Sequence, residues 1–328
     1  MYAIKIGDTV SADHPAPGAG LVSPGHDRQT YSFTARGGEI IYVQVAPCGG
    51  APLTFAVRDT ADHVLGGKIG CADFGPITLP APGVYRILVK SERASARYTF
   101  WLRSTTLDTY SIGIGDSVFP DHPRRGAGII TQPGQQQSYA FPVAAAQATY
   151  LRIGPCQASG LALDVIAPDN SRLDGQIGCH DLGRIELAQA GTYHVVVRAE
   201  GPGRYAFALG TIPIDQHFAL HLPLDVSPDA PVHGAGRITA PGAQQFYDFT
   251  GRQGSVVHIE GKCSQPCAGL ALRVTKAGDS SRLGFGELMN MKQDWTLPAG
   301  TEYTIQVRSN GYGGGYAFTA SLSQAPRR

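Results

Sequence analysis

The sequence predicts an all-β protein built from three tandem antiparallel β-sandwich domains of jelly-roll-like character. Three observations carry this. The stretch DHPAPGAGLVSPGHDRQTYSF at 13–33 recurs as DHPRRGAGIITQPGQQQSYAF at 121–141 and, more loosely, as DAPVHGAGRITAPGAQQFYDF at 229–249. Asp13, Asp121 and Asp229 stand 108 residues apart, as do Gly20, Gly128 and Gly236, and Tyr31, Tyr139 and Tyr247. A period this long gives each unit a core of its own, so it marks an array of domains rather than a solenoid. The 328 residues include 42 Gly and 23 Pro, and only 16% are charged, a turn-rich composition suited to short strands. Short alternating apolar runs follow one another at roughly 8–12 residue spacing, and no stretch carries the three-and-four apolar recurrence of a long helix. The expected units are 1–108, 109–216 and 217–328.

In the first unit, the alternation from Tyr2 to Val10 reads as one strand. Asp13 to Gly20 is a Pro/Gly loop unfit for a central strand. Leu21-Val22 enters a turn at Pro24-Gly25, where Pro presets φ and Gly accepts a positive one. Thr30 to Ala35 places Tyr31 and Phe33 on one face of a strand, Gly37-Gly38 turns the chain, and Glu39 to Ala46 runs as a strand toward Cys48. Leu53 to Val57 is a further strand, Arg58 to His63 a polar turn, and Gly70 to Phe74 a segment carrying Cys71. Val84 to Lys90, with Tyr85, Ile87 and Val89 alternating, precedes a last strand through Tyr98, Phe100 and Leu102. The second unit repeats these segments, ending in Tyr193, Val195 and Val197, then Tyr205, Phe207 and Leu209. The third ends in Tyr303, Ile305 and Val307, then Tyr316 and Phe318. Leu107 to Thr109 and Pro213 to Gln216 join the units with almost no slack, so a semi-rigid rod is expected.

Six cysteines fall two to a unit. Cys48 and Cys71 are 23 residues apart, as are Cys156 and Cys179, and the third unit replaces the long spacing by Cys263 and Cys267 while keeping an even count. Even pairing within each unit predicts the disulfides Cys48–Cys71, Cys156–Cys179 and Cys263–Cys267, and hence an oxidising, extracellular compartment. Met1-Tyr2-Ala3-Ile4-Lys5 has no basic start followed by an apolar run, and Tyr2 to Gly7 matches Tyr110 to Gly115. The chain is therefore expected to be part of a longer protein, or a mature chain with an added Met.

A net charge of +1 with scattered Lys and Arg offers no electrostatic footprint for nucleic acid or an anionic membrane. No GxSxG, HExxH or P-loop is present, and no catalytic residue is assigned. Asp8 and Asp13, with Asp116 and Asp121, place two carboxylates near one loop in each of two units, a candidate calcium set; the competing reading is that Asp shapes the turn by accepting backbone N–H groups. The repeated strand aromatics read as core. Tyr312, in the tip NGYGGG, and Trp295 are the candidate ligand contacts. Met289 and Met291 mark an edge of the third unit that is either a partner surface or refilled core.

The order of a PG turn before YxF, a strand ending near a cysteine, an LxxxG(V/T)Y turn and a closing (R/G)YxF resembles the bacterial pre-peptidase C-terminal domain, in three tandem copies. The resemblance implies non-catalytic modules beside the catalytic domains of secreted enzymes or within surface proteins, some of whose relatives bind calcium, collagen or polysaccharide. The expected function is thus a non-catalytic extracellular spacer, adhesion or assembly segment of a larger secreted or surface bacterial protein, without a required cofactor. Two alternatives stand beside it: a module binding glycan or matrix protein, and an accessory C-terminal region of a secreted hydrolase.

Overall fold

The computed structural model describes residues 1–23, 26–48, 53–91, 95–262, 269–276, 282–288, 291–298, 302–309 and 313–323. It contains three successive groups of β-sheets and, among the described residues, no helix. Each group has a five-stranded sheet, a four-stranded sheet and a two-stranded ribbon. In the first unit the five-stranded sheet runs Tyr2–Ala3, Arg28–Ala35, Gly83–Ser91, Leu53–Arg58, Val64–Ile69. The four-stranded sheet runs Thr9–Val10, Phe100–Thr105, Ile40–Val45, Phe74–Thr78, and Leu21–Val22 pairs with Ala96–Arg97. Both other units repeat the same orders.

The pairing explains the alternation read from sequence. Inward residues of Leu53–Arg58, namely Leu53, Phe55 and Val57, are buried while their neighbours are not, as a sandwich requires. Three separate buried clusters follow, one per unit, around Tyr31, Tyr139 and Tyr247.

Two expectations are corrected, and one strand is added. The Tyr2–Val10 stretch is two strands: Tyr2–Ala3 joins one sheet and Thr9–Val10 the other, with a turn at Ile6-Gly7 between them. The first strand of each unit runs parallel to its neighbour, so the sheets are not wholly antiparallel. Val64–Ile69 is a strand that showed no pattern, because it lies at the sheet edge with little buried on either face. Cys71 lies in the bend that follows that strand.

The expected limits at 108 and 216 fall within strands. Leu107–Ser111 already belongs to the second unit's sheet, and Gln216–Ala219 to the third's. Only Thr106 separates the last strand of the first unit, Phe100–Thr105, from that sheet.

Two of the three expected disulfides are present: Cys48–Cys71, with Cα atoms 5.7 Å apart, and Cys156–Cys179, at 6.1 Å. Each follows a strand of one sheet with one end and a strand of the other with its second, so it clips the two sheets together at one end. Cys263 and Cys267 lie outside the described residues.

Candidate functional site

The recurring stretch that organises the sequence is a folding device. Gly20 has φ +68°, and a Cβ there would lie 2.3 Å from the backbone of Ser11, so only glycine lets the loop cross the chain so closely. Its N–H donates to the Tyr31 hydroxyl at 2.9 Å. The Tyr31 and Tyr98 hydroxyls are 2.8 Å apart and both reach Gln29 Oε1. Gln29 Nε2 in turn donates to the carbonyls of Gly18 and Leu21. Gly128, Tyr139, Tyr205 and Gln137 repeat this in the second unit, and Gly236, Tyr247, Tyr316 and Gln245 in the third. Burial holds the tyrosine hydroxyls neutral, raising Tyr98, Tyr205 and Tyr316 well above the usual value. Fully buried hydroxyls demand partners, and the loop supplies them.

The candidate calcium residues act as turn caps. Asp13 Oδ1 accepts the Gly18 N–H at 2.8 Å and Asp121 Oδ1 that of Gly126 at 2.9 Å. Asp8 accepts from Lys5 N and Asp116 from Gly113 N, both at 2.7 Å. Among the described residues no group of three or more His, Cys, Asp or Glu is placed to hold a metal ion.

Trp295 is not an exposed platform. It is partly buried against the third core, and its ring fills the space over Gly284, where a Cβ would come within 2.0 Å. Met291 is buried in the same core, while Tyr312 and Met289 lie outside the described residues.

The residues that recur without serving one unit's own fold meet at the joints. Tyr42, on Ile40–Val45, is 3% exposed and lies against Gly134 of the second unit, whose φ is +75°. A Cβ at Gly134 would sit 2.3 Å from the Tyr42 ring. Tyr150 makes the same approach to Gly242 of the third unit, φ +78°, where a Cβ would come within 2.8 Å of its ring. Each ring is aimed by an aspartate. Tyr42 donates to Asp73 Oδ2 at 3.2 Å and Tyr150 to Asp181 Oδ2 at 3.1 Å. The other oxygen of each carboxylate accepts a strand N–H, from Val45 or Ile153, at 2.7 Å. Burial, reinforced by the Asp181 charge, pushes the Tyr150 hydroxyl up to about 12.

The second joint carries an added lock. Arg184 grips Asp215 with two parallel contacts of 2.9 Å and donates to the Gly242 carbonyl at 3.0 Å. Such a fork is among the stronger polar contacts available, and Arg184 is only 15% exposed. A groove of 480 Å³ lies beside it, lined in part by Tyr150, Glu186, Gln244 and Arg308. The first joint has a smaller cleft of 160 Å³, with Pro76 on its wall.

Sequence reading missed these residues, although their signal was present: Tyr42 and Tyr150, Asp73 and Asp181, and Gly134 and Gly242 all keep the 108-residue step. The third unit departs from it with His258 in place of tyrosine.

No family model matches the chain, and no curated protein matches it. Solved structures similar to parts of it include PliG, a periplasmic inhibitor of g-type lysozyme from Aeromonas hydrophila, at 15% identity over 33% of this chain and 99% of that one, with a TM-score of 0.26. The pre-peptidase C-terminal domain of a Bacillus anthracis collagenase is 16% identical over 32% of this chain and 96% of its own, with a TM-score of 0.26. The CUB1-EGF-CUB2 domains of rat MASP-1 are 10% identical over 65% of this chain and 99% of theirs, with a TM-score of 0.21. Family membership is not shown for the chain.

Proposed function

We propose that the chain is a structural spacer of a secreted or surface protein, in which three β-sandwich units are locked end to end to hold what they connect at a fixed separation. The observation that carries this is the recurrence of one joint: Tyr42 on Gly134 and Tyr150 on Gly242, each ring held by an aspartate. A linker meant to swing would spare its joints such buried contacts. The cystines favour an oxidising compartment outside the cytoplasm. The role itself needs no chemistry from the chain.

Small-angle scattering of the intact, non-reduced protein tests the reading. A profile fitted by a single arrangement of the three units supports it; a profile requiring a broad ensemble of interunit angles sinks it. Specific binding on a glycan and matrix-protein array, with calcium or with EDTA, would move the assignment to a recognition module.

A further inference from the structure

The third unit carries on its four-stranded sheet a constellation found, among the described residues, in neither of the others. His258, on Val256–Gly261, is flanked by Lys292–Thr296 on one side and Phe318–Ser323 on the other. Asp294 is its direct cross-strand partner, and Ser323 lies two residues along the other strand from its partner Ser321. The His258 Nδ1 is 2.7 Å from Asp294 Oδ1, and its Nε2 is 2.6 Å from Ser323 Oγ. An ionised carboxylate only accepts, so Asp294 fixes the proton of a neutral imidazole on Nδ1. Nε2 is then left as the acceptor for the Ser323 hydroxyl.

This is the order of a nucleophile, its base and the group that orients the base, at hydrogen-bonding distances. We infer that Ser323 is an activated nucleophile that attacks activated esters, with His258 as its base and Asp294 as the positioning residue. The inference is independent of the spacer reading and stands on these three side chains alone.

In the acylation step the Ser323 Oγ bonds to the acyl carbon while its proton passes to His258 Nε2. The bond from that carbon to the leaving oxygen breaks, and the proton goes to the departing group. Water then attacks the acyl-serine with His258 again as base, releasing the acid and restoring the hydroxyl. The site is open, with His258 38% and Asp294 64% exposed at their side chains. An open site binds little of its substrate and stays wet, which confines the reaction to acyl or phosphonyl donors with good leaving groups. In the first two units the equivalent positions are Tyr42 and Tyr150, buried against the following unit.

The test is labelling of the intact protein with a fluorophosphonate, located by peptide mass spectrometry, together with hydrolysis of p-nitrophenyl acetate. In the labelling reaction Oγ bonds to phosphorus and fluoride leaves. Expected is one principal adduct at Ser323, unchanged in Ser321→Ala and slowed about 100-fold in His258→Ala, the scale of general-base assistance. Asp294→Asn slows it less, and ester hydrolysis falls in the same order. His258→Gln and matched thermal melting keep a folding defect apart from a lost base. Labelling spread over many serines, or labelling of Ser323 at the same rate without His258, overturns the inference.

Discussion

Replacing Gly134 by alanine separates the joint from ordinary backbone strain, because Gly38 supplies a matched control. Gly38 has φ +80° and open space around a new Cβ, whereas Gly134 has φ +75° and would place its Cβ 2.3 Å from the Tyr42 ring. Both alanines bear the left-handed penalty of about 1–2 kcal/mol. Only the one at 134 must also drive the ring back by roughly 1 Å to reach ordinary contact distance. That retreat breaks the Tyr42 hydroxyl's bond to the Asp73 carboxylate, and hydrogen bonds to charged groups contribute about 1.5–3 kcal/mol. The expected excess for Gly134→Ala over Gly38→Ala is therefore about 2 kcal/mol. It can be relieved by parting the units as well as by unfolding, so two readouts are needed: denaturant midpoints, and amide exchange at 40–45. Gly134→Ala should raise exchange there and broaden the scattering-derived distance distribution, while Gly38→Ala does neither. Equal midpoints and identical exchange in the two variants would refute the idea that this contact holds the joint.

Arg184→Ala should loosen the second joint and leave the first intact, raising exchange around Gly242 but not around Gly134; equal changes at both joints would show that the Asp215 fork is not a local lock. Tyr205→Phe removes a buried hydroxyl shared with Tyr139 and Gln137, and should cost the second unit about 1–2 kcal/mol in chemical denaturation. Cys48→Ser with Cys71→Ser opens a 23-residue separation and should cost roughly 3 kcal/mol in the first unit, with the other units unaffected. The Tyr150 hydroxyl is held up to about 12 by burial, against an unfolded value near 10, so the folded state keeps a proton that the unfolded chain loses. Its contribution is fully present below about pH 10 and disappears as the pH rises toward 12; denaturant midpoints measured at pH 9 and pH 11.5 should fall, and a flat response would falsify the linkage.

The number of units, the all-β character and the two long disulfides follow from the order of residues along the chain. Period, alternation and even cysteine pairing are local or repeated features, and physical chemistry leaves them little choice: Tyr31, Phe33 and Phe100 alternate because one face of each strand is buried. Edge strands escaped notice because Val64–Ile69 buries little on either face and so carries no period. The Asp13 and Asp121 carboxylates left two readings open in the sequence, cation binding and turn shaping, and the loop geometry places one oxygen of each on a backbone N–H group. Which polar residues meet depends on how distant strands pack. Tyr42 and Gly134 lie 92 positions apart in the chain. His258, Asp294 and Ser323 come together only because three strands pair in one register, and a shift of one residue would turn each side chain to the opposite face.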